Sequence, residues 1–282
     1  MYRNKFFDES DRFTSIISAN FTPIENVFFR AQLGWDVGAQ TYISSRHPYY
    51  DTYQDGNGYY NRTHENFSYP TLNLIAGYNN EFFDDKLSVS AKFFYHQNEN
   101  EIRRLATTGS KFAVKDFQSI DNCDPLSISS TQRTSTRRIQ ALSGQLELGY
   151  NQMAYVTLRA RNDWSSTLPV ANNRYFYPAI EGSFIVTELP FIKGNNIVNY
   201  LKLRGSIAQV GKDAGPMEID PRLVTTGLWG GGYRYDFTGP NKKLVPELTT
   251  SKEVGFEGRF LDDRINTDFT YFWTHCDDQI IK

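Results

Sequence analysis

Between Asn199 and Gln209 the chain reads N-Y-L-K-L-R-G-S-I-A-Q. Leu201, Leu203 and Ile207 fall on one side, Lys202, Arg204 and Ser206 on the other, because successive side chains of a strand point to opposite faces. Segments of this two-faced kind recur from end to end. Arg12–Phe21 sets Phe13, Ser15, Ile17, Ala19 and Phe21 on one face, and Val27–Trp35 sets Val27, Phe29, Ala31, Leu33 and Trp35 against Arg30 and Gln32. Tyr69–Tyr78, Lys86–His96, Ile139–Tyr150, Ala154–Asn162, Tyr175–Thr187, Lys252–Leu261 and Arg264–Thr274 follow the same rule. The pattern predicts about ten antiparallel strands of roughly 9–12 residues, the length of a tilted transmembrane strand and longer than the soluble mode of about 5–6.

The connections alternate in length. Thr22–Asn26, Asn79–Asp85, Asn151–Met153 and Asp262-Asp263 are short; about Gly38–Asn66, Asn98–Arg138 and Gly211–Thr250 are long. A meander places alternate connections at the same end, so one end carries tight turns and the other carries long loops. Long unstructured loops are uncommon in compact soluble domains but regular on the outer rim of bacterial barrels, whose periplasmic turns are short. The fold expected is therefore all-β, a partial antiparallel transmembrane β-barrel filling 1–282. Its alternative is a soluble all-β carbohydrate-binding module of two packed sheets, with strands nearer six residues and stability without detergent.

Composition narrows the choice. Of 282 residues only 39% are hydrophobic, yet 15% are aromatic, and no stretch approaches the roughly 18 continuous apolar residues of a spanning helix. A barrel escapes that test because only every second residue faces lipid. The net charge of −2 gives no electrostatic pull toward nucleic acid. Cys123 and Cys276 lack metal-type spacing and read as two unrelated thiols, and the four histidines (His47, His64, His96, His275) form no ligand motif. No catalytic constellation, metal site or cofactor motif is visible. Asp163 with Ser165 and Ser166 reads as turn chemistry where a loop opens. Asp55-Gly56-Asn57-Gly58 carries Tyr53 where a calcium loop needs an oxygen ligand, and Gly227–Tyr233 lacks the Lys and Ser/Thr of a phosphate loop. Met1–Glu9 contains no apolar signal-peptide core, which for an exported barrel points to a truncated chain.

Three segments carry a specific likeness. They are Leu201–Ser206 with Gln209-Val210-Gly211; Arg159–Ser166 leading into Asn172–Pro178; and Pro246–Glu257 with Asp263-Arg264-Ile265 and Asp268–Phe272. In order and approximate spacing they resemble the C-terminal half of the SusC/RagA family of TonB-linked outer-membrane transporters. Asp11-Arg12-Phe13 through Trp35-Asp36 is similar to that family's mid-barrel strands. The resemblance implies a 22-stranded barrel in the cell outer membrane, with an N-terminal plug and a TonB-contacting segment, a SusD-like lipoprotein partner, and import of glycan oligosaccharides or peptides. It implies no enzyme. The chain is expected to be an internal piece of such a transporter, reaching TonB through an N-terminal part it lacks. A siderophore or cobalamin receptor would share the barrel without the lipoprotein.

Candidate contact residues follow from exposure and chemistry. Trp229, Tyr233 and Tyr235 in the Gly-rich loop, and Tyr49, Tyr53 and Tyr59 with Tyr50 and Tyr60 in the Gly38–Asn66 loop, offer flat faces for sugar rings or peptide side chains. Arg159, Arg161, Lys202 and Arg204 are expected to face the lumen, because charge on the lipid side costs about 2–4 kcal/mol near the midplane.

Overall fold

The computed structural model describes residues 4–50, 57–194, 196–220, 223–226, 232–235 and 241–280. It holds twelve strands: β1 (Lys5–Ile24), β2 (Val27–Arg46), β3 (Tyr59–Phe82), β4 (Leu87–Ser110), β5 (Ser129–Tyr150), β6 (Ala154–Ser165), β7 (Arg174–Ile185), β8 (Val198–Lys212), β9 (Leu223–Thr226), β10 (Gly232–Tyr235), β11 (Glu247–Phe260) and β12 (Ile265–Asp277). Ten of them form one sheet in the order β1-β2-β3-β4-β5-β6-β7-β8-β11-β12, and β9 and β10 form a separate two-stranded sheet. No α-helix occurs among the described residues. Each main strand thus pairs with its neighbours in the chain, the meander that the alternation predicts, rather than the two packed sheets of a binding module.

The strands differ from expectation in length. β1 and β2 run 20 residues and β3 and β4 run 24, so much of the expected Gly38–Asn66 and Asn98–Arg138 loops is strand. Polar composition suggests a loop, but a sheet bathed in water on both faces is polar too. Cross-strand side-chain pairs hold these extensions: Gln40 donates to Asp8 at 2.9 Å, Arg12 Nε to Asp36 at 2.7 Å, and the Thr107 and Ser130 hydroxyls meet at 3.0 Å. Only about the ten residues nearest each tight turn are needed to cross a bilayer.

By contact the chain divides into two compact units, 1–17 with 33–71 and 98–137, and 18–32 with 72–97 and 138–282. In the first, Asn122 closes a loop by donating to the Val114 carbonyl at 2.7 Å and accepting the Val114 N–H at 2.9 Å. Beside it Cys123 is buried against Gly109, and burial pushes its thiol above the ordinary range. Cys123 and Cys276 are both free thiols.

In the second unit the register assigns the faces. Leu146 lies opposite Leu158, Leu158 opposite Ile180 and Ile180 opposite Ile207. Leu203 continues to Phe256, and Phe256 to Phe269. Apart from the half-buried Leu146 these side chains are exposed to solvent, Leu203 by 47% and Ile207 by 51%. The buried apolar core is correspondingly small: Leu168, Tyr175 and Ala214 make one cluster, with Tyr177, Leu244 and Ile280 against it. So large an apolar surface without a covering layer is foreign to a soluble monomer and suits a sheet facing hydrocarbon.

Tight turns are built without glycine. Phe83–Asp85, Asn151–Gln152 and Leu261–Asp263 all take positive φ. That is costly for Leu and Phe and mild for Asn and Asp. At the last turn the Asn199 side-chain oxygen accepts the Asp262 N–H at 2.8 Å, which offsets part of the cost. Glycine serves close packing instead: a Cβ on Gly77 would lie 2.2 Å from the Phe28 ring.

Candidate functional site

The face opposite the apolar one is polar and paired. Ser143 lies opposite Arg161 and Gln145 opposite Arg159 in the β5–β6 ladder. Arg161 then meets Tyr177, Ser206 meets Glu253, Lys202 meets Glu257, and Glu257 meets Asp268. Arg159, Arg161, Lys202 and Arg204 therefore share one face. Arg159 Nε donates to Gln145 at 3.2 Å and its guanidinium lies 4.0 Å from Glu181; Arg204 donates to Asp268 and to the Thr270 hydroxyl, each at 2.6 Å. Lys92 and Glu147 approach to 4.0 Å on the same face. Positive and negative groups alternate, so the wall is charged without being strongly one-signed.

A hydrogen-bonded network forms around Asp163. Arg161 Nε donates to one carboxylate oxygen at 2.7 Å and Nη2 to the other at 3.3 Å; the Tyr177 hydroxyl donates to the second at 2.8 Å. Asp163 is buried, and three donors compensate its lost hydration. Arg161 also lines a cavity of about 320 Å³ with Gln32, Asn73, Phe94, His96 and Ser143. There His96 Nδ1–H donates to Asn73 Oδ1 at 2.6 Å, and Asn73 Nδ2 donates to Gln32 at 3.4 Å. That bond leaves Nε2 of the neutral His96 as an acceptor, beside the donors of Gln32 and Arg161. A group that both donates and accepts, such as a hydroxyl or an amide, matches this set.

Asp163 and Ser165 correct the sequence reading in part. Ser165 Oγ does accept the Thr167 N–H at 3.3 Å, which is turn chemistry. Both residues are nevertheless buried, and Ser165 and Thr167 hydroxyls converge on the Asp213 carboxylate, Thr167 at 2.9 Å. Asn172 adds a bond to the Leu244 carbonyl at 3.2 Å, so the loop after β6 and the segment before β11 are tied together. Only the i, i+2 spacing of Arg161 and Asp163 hinted at their pairing; Tyr177 joins them through register, and Asp213 joins Ser165 and Thr167 from the loop after β8.

The aromatic candidates fall in two groups. Tyr49 is 80% exposed in the short 3-10 turn Pro48–Tyr50 of the first unit, and Tyr59 opens β3 under the Arg46 guanidinium, 5.8 Å from its ring centre. Tyr233 and Tyr235, 73% and 70% exposed, share one face of β10 in the second unit. Trp229 and Tyr53, like Asp55-Gly56, lie outside the described residues. Among the described residues no cluster of three or more His, Cys, Asp or Glu could hold a metal ion.

At the rim of the second unit Glu247 accepts the Ile280 N–H at 2.7 Å and lies 3.4 Å from Lys212. These partners hold its carboxyl below the ordinary carboxylate range, the backbone N–H first.

Comparison with known proteins gives the architecture its relatives. A curated TonB-dependent receptor P26 of Formosa agariphila is 26% identical over 172 residues, 58% of this chain and 17% of its own length. A solved structure of the RagAB peptide transporter superposes with a TM-score of 0.86 at 18% identity, covering 99% of this chain and 31% of that one. The RagAB peptide importer in its closed-closed state gives 0.84 at 19%, covering 98% and 31%. The chain thus spans less than a third of the length of each of these three relatives. The family model of the TonB dependent receptor-like β-barrel matches residues 2–282, and the chain belongs to that family.

Proposed function

We propose that this chain is a wall segment of a SusC-type, TonB-dependent transporter in the outer membrane, importing peptides or glycan oligosaccharides together with a SusD-like lipoprotein. The observation that carries the proposal is the division of one sheet into an exposed apolar face and an ion-paired polar face. In a bilayer the first meets lipid and the second a lumen. On this reading Arg159, Arg161, Lys202 and Arg204 line the lumen, and Tyr49, Tyr59, Tyr233 and Tyr235, with Tyr53 and Trp229, belong to the rim where substrate is met. The edges of β1 and β12 pair with further strands of the whole receptor, since an open edge in hydrocarbon leaves backbone groups unsatisfied.

The whole receptor tests this. Deleting its gene is expected to abolish uptake of fluorescent peptides or of oligosaccharides while sparing ferric siderophores, and the receptor should co-purify with a lipoprotein from outer membranes. Loss of siderophore uptake alone, with no lipoprotein, would overturn it in favour of an iron receptor.

A further inference from the structure

The apolar face is not uniformly smooth. Across β1–β4 it carries a groove of about 390 Å³ whose lining is almost free of polar atoms. Ala19, Ala31 and Ala76 leave room where neighbouring positions hold large side chains, and Phe21, Phe29 and Phe93 rise beside them. The Phe21 and Phe29 rings stack with centroids 6.5 Å apart and so form one wall. Alternation puts this groove on the side opposite Gln32, Asn73 and His96, whose side chains bond to one another on the polar face. Arg30 reaches away as well, donating to Asn20 at 2.7 Å.

From this geometry we infer that the groove is a binding site for one acyl chain of a membrane phospholipid. The inference rests on the outer-membrane reading above. Three properties select the occupant. The groove is continuous with the exposed apolar face, so hydrocarbon already surrounds it. Its lining shows almost no polar atoms, which disfavours sugars and peptide backbone. Its volume, at about 30 Å³ for a group the size of water or a methylene, holds roughly a dozen such groups.

Between lipid and protein there is no hydrophobic driving force, since both phases are apolar. What a groove adds is contact on three sides of the chain instead of one, and dispersion energy sums over those contacts.

The test uses the full-length receptor in native outer membranes, with the photoreactive Phe analogue p-benzoylphenylalanine placed at Phe29 or, as control, at Phe256 on the smooth part of the same face. Irradiation followed by mass spectrometry should give at least about threefold more phospholipid adduct at Phe29 than at Phe256, following the greater contact. Ala31→Leu with Ala76→Leu should bring the Phe29 yield down to the control level. Equal yields at both positions in the unfilled receptor, or an adduct of Phe29 to polypeptide, would overturn the groove and leave the membrane reading standing. Absence of lipid adduct at both positions would overturn the two together.

Discussion

Leu203 and Arg204 are adjacent in β8, yet they stand under opposite rules. Leu203 points to the apolar face, where its cross-strand partners are Phe184 and Phe256. Arg204 points to the other, where Asp268 and Thr270 accept its hydrogen bonds. The first position is selected by the solvent it meets and the second by its neighbours. A change at one should be read by the membrane; a change at the other only by the local network.

The contrast is broken most severely by Leu203→Arg. Leu203 sits some five residues from the start of β8, near the middle of a span, where a lipid-facing Arg costs about 2–4 kcal/mol. The fraction of whole receptor resisting heat-dependent unfolding on a gel should fall steeply. A smaller loss, about 1–3 kcal/mol, is expected for Asp163→Leu, which leaves the Arg161 guanidinium and Tyr177 hydroxyl without their acceptor. A double-mutant cycle with Tyr177→Phe in chemical denaturation should show coupling rather than additivity. Smaller again is Arg204→Met. Its ion pair with Asp268 is half in solvent, and removing it should change stability by less than about 1 kcal/mol, with the difference shrinking further in high salt.

The mildest test is acid. Because Glu247 is held below the usual carboxylate range in the folded chain, its contribution is complete above the unfolded value of about 4.3. It is lost as pH falls through the folded value. Unfolding curves of Glu247→Gln should therefore differ from wild type at neutral pH and converge with it in acid. A difference that persists unchanged at low pH would remove Glu247 from the pH dependence.

The same contrast explains what was legible in the sequence. Face assignment was, because alternation in Leu201–Ile207 or Leu142–Leu148 is a direct consequence of strand geometry and survives any fold built from strands. The ten-strand meander followed from the connections. The long strands were not, since the polar residues of Gly38–Arg46 and Asn98–Ser110 lack an apolar beat when water lies on both sides. Nor were the polar networks, because Tyr177 reaches Asp163 through pairing register and Asp213 reaches Ser165 through loop closure, which no local pattern encodes. The exposure of Tyr49, Tyr233 and Tyr235 could be guessed from the sequence; which rings approach one another depends on loop geometry that composition does not specify.

The order β1 to β8, then β11 and β12, has a consequence for biogenesis. Apart from the small β9–β10 ribbon, every backbone rung joins strands that are consecutive along the chain, so no strand has to wait for a distant partner or be threaded between two others. Such a wall can be laid down hairpin by hairpin at a single advancing seam. The machinery that inserts it then needs to shelter only the first edge and the growing one, however many staves the finished vessel has.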